Sequence, residues 1–165
     1  MQTLTIAQID EICQSVVNST QSYNPLLHAC MYSIYFTGCR SGEIADLSRW
    51  RPNDDKSMAL QTIKRGGIRI IDNSLLHPVF VAAILDPPSS SFLCSKRNMR
   101  SAFDTFSQFQ SIYTLDKQIS MHLFRHNRIK QLYAAGWSLL QLTNYFAVHS
   151  PEVPSYYINS VIYTP

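Results

Sequence analysis

Helix-starting and helix-stopping signals punctuate this chain from end to end, and only one stretch departs from them. Thr5-Ile6-Ala7-Gln8 reads as a capping box, and Ile6, Ile9, Ile12, Val16 and Val17 follow at helical spacing. Asn24-Pro25 starts a second helix through Leu26, Leu27, Cys30, Met31, Ile34 and Tyr35, which Gly38 ends. Ser41 then caps a short helix carrying Glu43, Ile44 and Leu47. Between residues 57 and 72 the period changes. Ser57–Ile63 and Ile68–Asp72 are β-biased runs around Lys64-Arg65-Gly66-Gly67, a hairpin pattern. After the Pro87-Pro88-Ser89-Ser90-Ser91 loop, Asn98–Tyr113 places Phe103, Phe106, Phe109 and Ile112 on one helical face. His122–Ala135 is helical up to Gly136, and Ser138–Ala147 is helical again. Pro151 and Pro154 lead into a Tyr156-Tyr157 segment. The expectation is a mainly α fold with a small antiparallel β-sheet (α+β), one domain over residues 1–165.

Composition excludes several classes. With 45% apolar and 15% charged residues, the chain has the means to bury a core and is not disordered. Polar residues interrupt every apolar run well short of the ~20 residues a membrane span needs. The N-terminus lacks the basic-then-apolar pattern of a signal peptide. The four cysteines, Cys13, Cys30, Cys39 and Cys94, show no CxxC spacing, which suits buried free thiols in a reducing compartment. A soluble cytoplasmic protein is therefore expected, with no membrane partner.

The net charge of +3 is unevenly placed. All fourteen Lys and Arg lie between Arg40 and Lys130, a window that also holds eight of the eleven acids. A polyanionic partner would suit that concentration, and so would a solvated basic face.

Phosphate-binding glycine loops, GxSxG, HExxH and EF-hand patterns are all missing, and His28 and His77 stand alone on helical segments, so no metal site is expected. What remains is a series of cations, histidines and late tyrosines. Arg40 sits at a helix-to-helix junction with Glu43 three residues on. Lys64 sits at the hairpin turn. His122 and Arg125 stand one turn apart on one helix face. Each element alone has an ordinary reading, as a surface cation, a solvated turn or a common Tyr-Tyr pair. Their order carries the information.

In that order, Arg40, Lys64, His122-x-x-Arg125 and Tyr157 resemble the active-site series of the tyrosine recombinase (phage integrase) family. Tyr35-Phe36-Thr37-Gly38-Cys39-Arg40-Ser41-Gly42-Glu43-Ile44-Ala45-Asp46-Leu47 resembles its first arginine motif, and Thr62–Ile71 its lysine hairpin. His122-Leu123-Phe124-Arg125-His126 with Leu132-Tyr133-Ala134-Ala135-Gly136 resembles its second arginine helix. Ser150-Pro151-Glu152 followed by Tyr157 resembles the approach to its nucleophile.

The resemblance implies a site-specific recombinase that cleaves and rejoins double-stranded DNA through a covalent 3′-phosphotyrosyl link, with no metal or nucleotide cofactor. It also implies self-association on DNA as a tetrameric synapse. Arg40 and Arg125 would clamp the non-bridging oxygens, and guanidinium stays charged at any working pH. His122 would orient the phosphate or accept the tyrosine proton, Lys64 would protonate the leaving 5′ oxygen, and Tyr157 would attack. Tyr156 and Tyr163 are rival nucleophiles. Arg65, Arg69, Lys96, Arg97, Arg100 and Arg128 are candidates for DNA-backbone contacts.

Two departures from the family pattern stand out. The position usually held by His or Trp falls on Val148, so either His149 fills that role after a local shift or the contact is lost. The family's upstream DNA-binding domain is not in this sequence, which suits either a fragment or a minimal protein. The alternatives are a DNA-binding relative with an impaired site, and a type IB topoisomerase-like relaxing enzyme.

Overall fold

The computed structural model describes residues 2–63, 67–90, 92–110, 121–161 and 163–164; residues 2, 107–110, 163 and 164 are described through their backbone only. Lys64 and Arg65 lie outside the described residues, as do residues 111–113 of the expected helix 98–113.

Helix α1 (Ile6–Gln21) starts where the capping box places it. Gln8 N–H donates to the Thr5 hydroxyl (3.2 Å), and the Gln8 side chain accepts from Thr5 N–H (2.8 Å). Its buried face is Ile9, Ile12, Cys13, Val16 and Val17, while Ile6 stays exposed. Helix α2 (Pro25–Thr37) is capped by the Asn24 side chain, which accepts from Leu26 and Leu27 N–H (3.0 and 3.2 Å). Gly38 ends it at φ 68°, a left-handed conformation that favours glycine. In α3 (Ser41–Ala45) the cap position is Arg40, one residue earlier than the sequence pattern suggests.

A three-stranded antiparallel sheet follows in the order β2 (Trp50–Pro52), β3 (Ser57–Gln61), β4 (Ile68–Asp72). Its register pairs Trp50 with Leu60 and Gln61 with Ile68. Strand β2 is an addition to the expected two-stranded hairpin. On β4 the pleat turns Arg69 and Ile71 inward and leaves Ile68 and Ile70 exposed.

Helices α4 (Pro78–Leu85), α5 (Lys96–Gln110), α6 (His122–Ala134), α7 (Leu139–Tyr145) and α8 (Glu152–Asn159) complete the fold. The Tyr156-Tyr157 pair is therefore helical. Pro151 and Pro154 fall at the cap and in the first turn of α8, where a missing N–H costs nothing. Outside the main sheet, β1 (Gln2–Thr3) pairs antiparallel with β5 (Tyr163–Thr164), so Tyr163 stands in a strand at the chain's edge. The architecture is mainly helical with a small antiparallel sheet.

Two cores organise these elements. The larger joins α1, α2, α4, the sheet, α5 and the start of α6. The smaller consists of Ile129, Leu132, Leu142 and Phe146, with Trp137, Tyr145, Val148, Tyr157 and Ile158 packed around it. Helix α6 belongs to both. Asp10 ties α6 to the first two helices: it accepts from Tyr35 Oη (2.6 Å), Asn127 Nδ2 (3.0 Å), Gln131 Nε2 (2.8 Å) and Gln14 Nε2 (2.7 Å). Burial, and then Asp10, push the Tyr35 phenol up to about 12. The four described cysteines are free and buried, as their spacing suggests.

Candidate active site

Arg40 reaches its place through Gly38. A Cβ on Gly38 would meet Phe146 Cε1 at 3.0 Å and Arg128 Cβ at 3.1 Å, so the chain passes under α6 only with glycine there. The same residue's carbonyl accepts from Arg125 Nη1 at 2.9 Å. One turn of backbone thus positions both arginines: Gly38 holds Arg125 directly, and Arg40 follows two residues later.

Glu43 locks Arg40. Its carboxylate is fully buried and accepts from Arg40 N–H (2.8 Å) and from Ile63 N–H (3.0 Å), with Arg40 Nη1 at 3.5 Å. The Glu43 carbonyl accepts from Trp50 Nε1 at 2.7 Å. The sequence pattern places Glu43 beside Arg40 but assigns it no role in the site. Glu43 joins the arginine junction to the sheet and to the stem of the lysine hairpin. The signal was present as an acid three residues after the cap position and flanked by apolar residues.

Arg125 is 1% exposed. Beyond the bond to Gly38, its Nε and Nη2 have no hydrogen-bond partner among the described residues. Burial lowers its pKa to about 10, with Arg40 and Arg69 adding repulsion, so it remains a cation at neutral pH. A buried guanidinium with two unpartnered donors, beside further cations, suits an oxyanion bound bidentately.

Arg40 and Arg125 line one cavity of about 540 Å³. Arg40, His122 and Arg125 share it with Lys96, Arg97 and Arg100 from the first turns of α5. His122 is exposed on its α6 turn. Three of the expected catalytic residues and three of the expected backbone contacts therefore face the same space.

Tyr157 flanks Arg125. Its ring centre lies 5.7 Å from the Arg125 guanidinium carbon and 4.7 Å from the His126 ring, in an edge-to-face arrangement. Tyr156 is 67% exposed and lies farther from His126, at 6.4 Å. His126 packs against both tyrosines. Its Nδ1 is buried with no hydrogen-bond partner among the described residues, and burial lowers its pKa to about 4.

Three expectations meet a different geometry. Arg69 is 1% exposed, with Nε donating to Tyr145 O (3.0 Å), Nη2 to Thr37 O (3.0 Å) and Nη1 to Cys39 Sγ (3.5 Å). Its guanidinium carbon is 4.6 Å from the Phe146 ring centre. Buried, with each guanidinium nitrogen donating inside the protein, Arg69 braces β4 against α7 and does not line the cavity. Arg128 is half-buried, its Cβ and Cγ against the Gly38 turn, and it does not line the cavity. His149 is exposed on the turn between α7 and α8 and does not line the cavity either, while Val148 packs onto the smaller core. That turn touches the hairpin: Gly67 N–H donates to Ala147 O at 3.2 Å, and Ala147 has φ 51°.

No family model matches this sequence, and no curated protein does. Solved structures do match its fold. The XerA recombinase superposes over 91% of this chain and 59% of its own, with TM-score 0.63 and 14% identity. The XerH site-specific recombinase bound to its palindromic difH substrate, after cleavage, aligns over 93% of this chain and 48% of its own, with TM-score 0.55 and 16% identity. Its pre-cleavage complex gives 95% and 50%, with the same TM-score and identity. At these identities the similarity establishes a recombinase-like fold, and this chain spans about half to three-fifths of the length of those proteins. No helix among the described residues is long and apolar enough to cross a membrane.

Proposed function

We propose that this protein is a tyrosine-type site-specific recombinase that cleaves and rejoins DNA strands through a covalent phosphotyrosine. The observation that carries the reading is the convergence of Arg40, His122 and Arg125 on one cationic cavity, with the Tyr157 ring beside Arg125. The recombinase fold supports it, as does the DNA bound by XerH.

In this mechanism a phosphodiester lies in the cavity with its non-bridging oxygens on Arg40 and on the Nε and Nη2 donors of Arg125. Charge accumulates on those oxygens as the pentavalent transition state forms, and preorganised guanidiniums stabilise it. The Tyr157 hydroxyl oxygen bonds to phosphorus as its proton leaves to His122 or to water, and the bond from phosphorus to the 5′ oxygen breaks. Lys64 protonates that 5′ oxygen. The reverse step, with a 5′ hydroxyl as nucleophile, rejoins a strand and releases the tyrosine. The phosphoester is conserved throughout, so no external energy source is required. Assembly of several copies on DNA belongs to the same proposal.

A DNA-binding relative without cleavage is the second reading, favoured by Val148 on the smaller core and by His149 outside the cavity. Nicked duplexes with a randomised sequence, from which the cleaved strand diffuses away, separate the two. Recombinase chemistry yields a protein–DNA adduct that survives denaturing electrophoresis. Salt-sensitive binding with no adduct across the whole pool leaves only the second reading. Relaxation of supercoiled plasmid without strand exchange would instead indicate topoisomerase-like swivelling.

A further inference from the structure

The cationic cavity has a neighbour. Across the Gly42–Ile63 contact, where a Cβ on Gly42 would meet Ile63 Cδ1 at 3.0 Å, a second groove of about 560 Å³ opens on the same face. Lys96 and Arg97 line both spaces. Ile63 also lines both, and the second groove adds Ala45 as an apolar residue, Arg49 as a further cation, and Phe92. Phe92 is 54% exposed, so its ring is accessible from solvent. Arg49 is held in place by Asp46 (3.5 Å) and Gln61 O (3.4 Å), so the Asp46 carboxylate lining the groove is already paired.

We propose that this groove is a nucleotide subsite, in which Phe92 stacks on an unpaired base next to the phosphate held by Arg40 and Arg125. The inference rests on the DNA reading above and names what the strand does beside the cut. A ligand that is anionic along its length yet carries flat apolar groups matches both the cationic rim and the phenyl wall. Nucleic acid is such a ligand. Paired bases present mainly their edges to a protein, since their faces are covered by stacking, so a phenyl ring stacks on a base released from the helix and reaches a paired one only by prying a base step open. Rejoining a strand to a new partner requires bases beside the cut to unpair, and this groove would hold one while that happens.

The test compares two fluorescein-labelled duplexes of the same arbitrary sequence, one fully paired and one with a single bulged 2-aminopurine, by anisotropy and 2-aminopurine emission. The wild-type protein is expected to bind the bulged duplex about tenfold more tightly and to quench its emission. Phe92→Ala should lose both effects while keeping its affinity for the paired duplex, and Phe92→Trp should retain both. Equal binding of the two duplexes by the wild type overturns the proposal, as does a preference that survives Phe92→Ala. Equal weakening of both duplexes by Phe92→Ala also overturns it, since that would place the ring on a sugar of paired DNA. Failure to bind either duplex would defeat the DNA reading itself, a result distinct from the others.

Discussion

The Tyr157 ring centre lies 5.7 Å from the guanidinium carbon of Arg125, a side chain buried to 1% exposure whose Nε and Nη2 have no hydrogen-bond partner among the described residues. The proposed nucleophile and the proposed electrophile-holding group are thus neighbours before any substrate arrives. Arg125→Lys keeps the charge and loses the planar pair of donors. Adduct formation in single turnover on a trapping duplex is expected to fall about a hundredfold, with duplex affinity little changed.

Glu43 makes a separate prediction. Glu43→Ala leaves the Arg40 and Ile63 N–H groups without their acceptor and removes the counter-charge from Arg40. At about 1–3 kcal/mol for each stranded buried group, urea unfolding should show a loss of about 3 kcal/mol. Glu43→Gln, which keeps an acceptor oxygen, should lose less.

The cations divide into two kinds that one titration separates. Lys96, Arg97 and Arg100 line the cavity, so replacing all three with Ala should reduce the slope of log affinity against log salt by about 2 to 3. Arg69→Met should leave that slope unchanged and lower the melting temperature, because its bonds to Tyr145, Thr37 and Cys39 are internal.

Arg69 also shows where sequence reading reached its limit. The helices were legible because caps and apolar spacing are local: Thr5 with Gln8, Asn24 with Pro25, and Gly38 each act within one turn. Arg40, His122 and Arg125 were legible through their order along the chain, and the fold brings them to one cavity. Which face of β4 a cation occupies depends on the pleat and on what packs beneath it. Alternation with the inward Ile71 held that information, and cationic composition alone did not. The helical Tyr156-Tyr157 pair was obscured by two prolines, which α8 accommodates at its cap and in its first turn. Glu43 acts on Ile63, twenty residues away, a partnership no local pattern exposes.

His126 gives the stability a pH dependence. Burial, then Lys130 and His122, lower its pKa from 6.5 to about 4. Unfolded chains bind a proton there below about 6.5 and folded chains only below about 4, so stability is full above that window and falls as pH drops through it. Melting temperatures from pH 7 to 4 should therefore decline, and less steeply for His126→Gln. His77, also lowered by burial, contributes to the decline in both proteins.

The nucleophile can be read from a single peptide. Residues 131–165 contain no Lys or Arg, so trypsin releases Tyr156 and Tyr157 together with every other residue of the C-terminal arm. Tandem mass spectrometry of the trapped adduct, after nuclease trimming, should find the nucleotide on Tyr157. The mark on Tyr156 or Tyr163, or an adduct that forms undiminished in Tyr157→Phe, would contradict the proposed site.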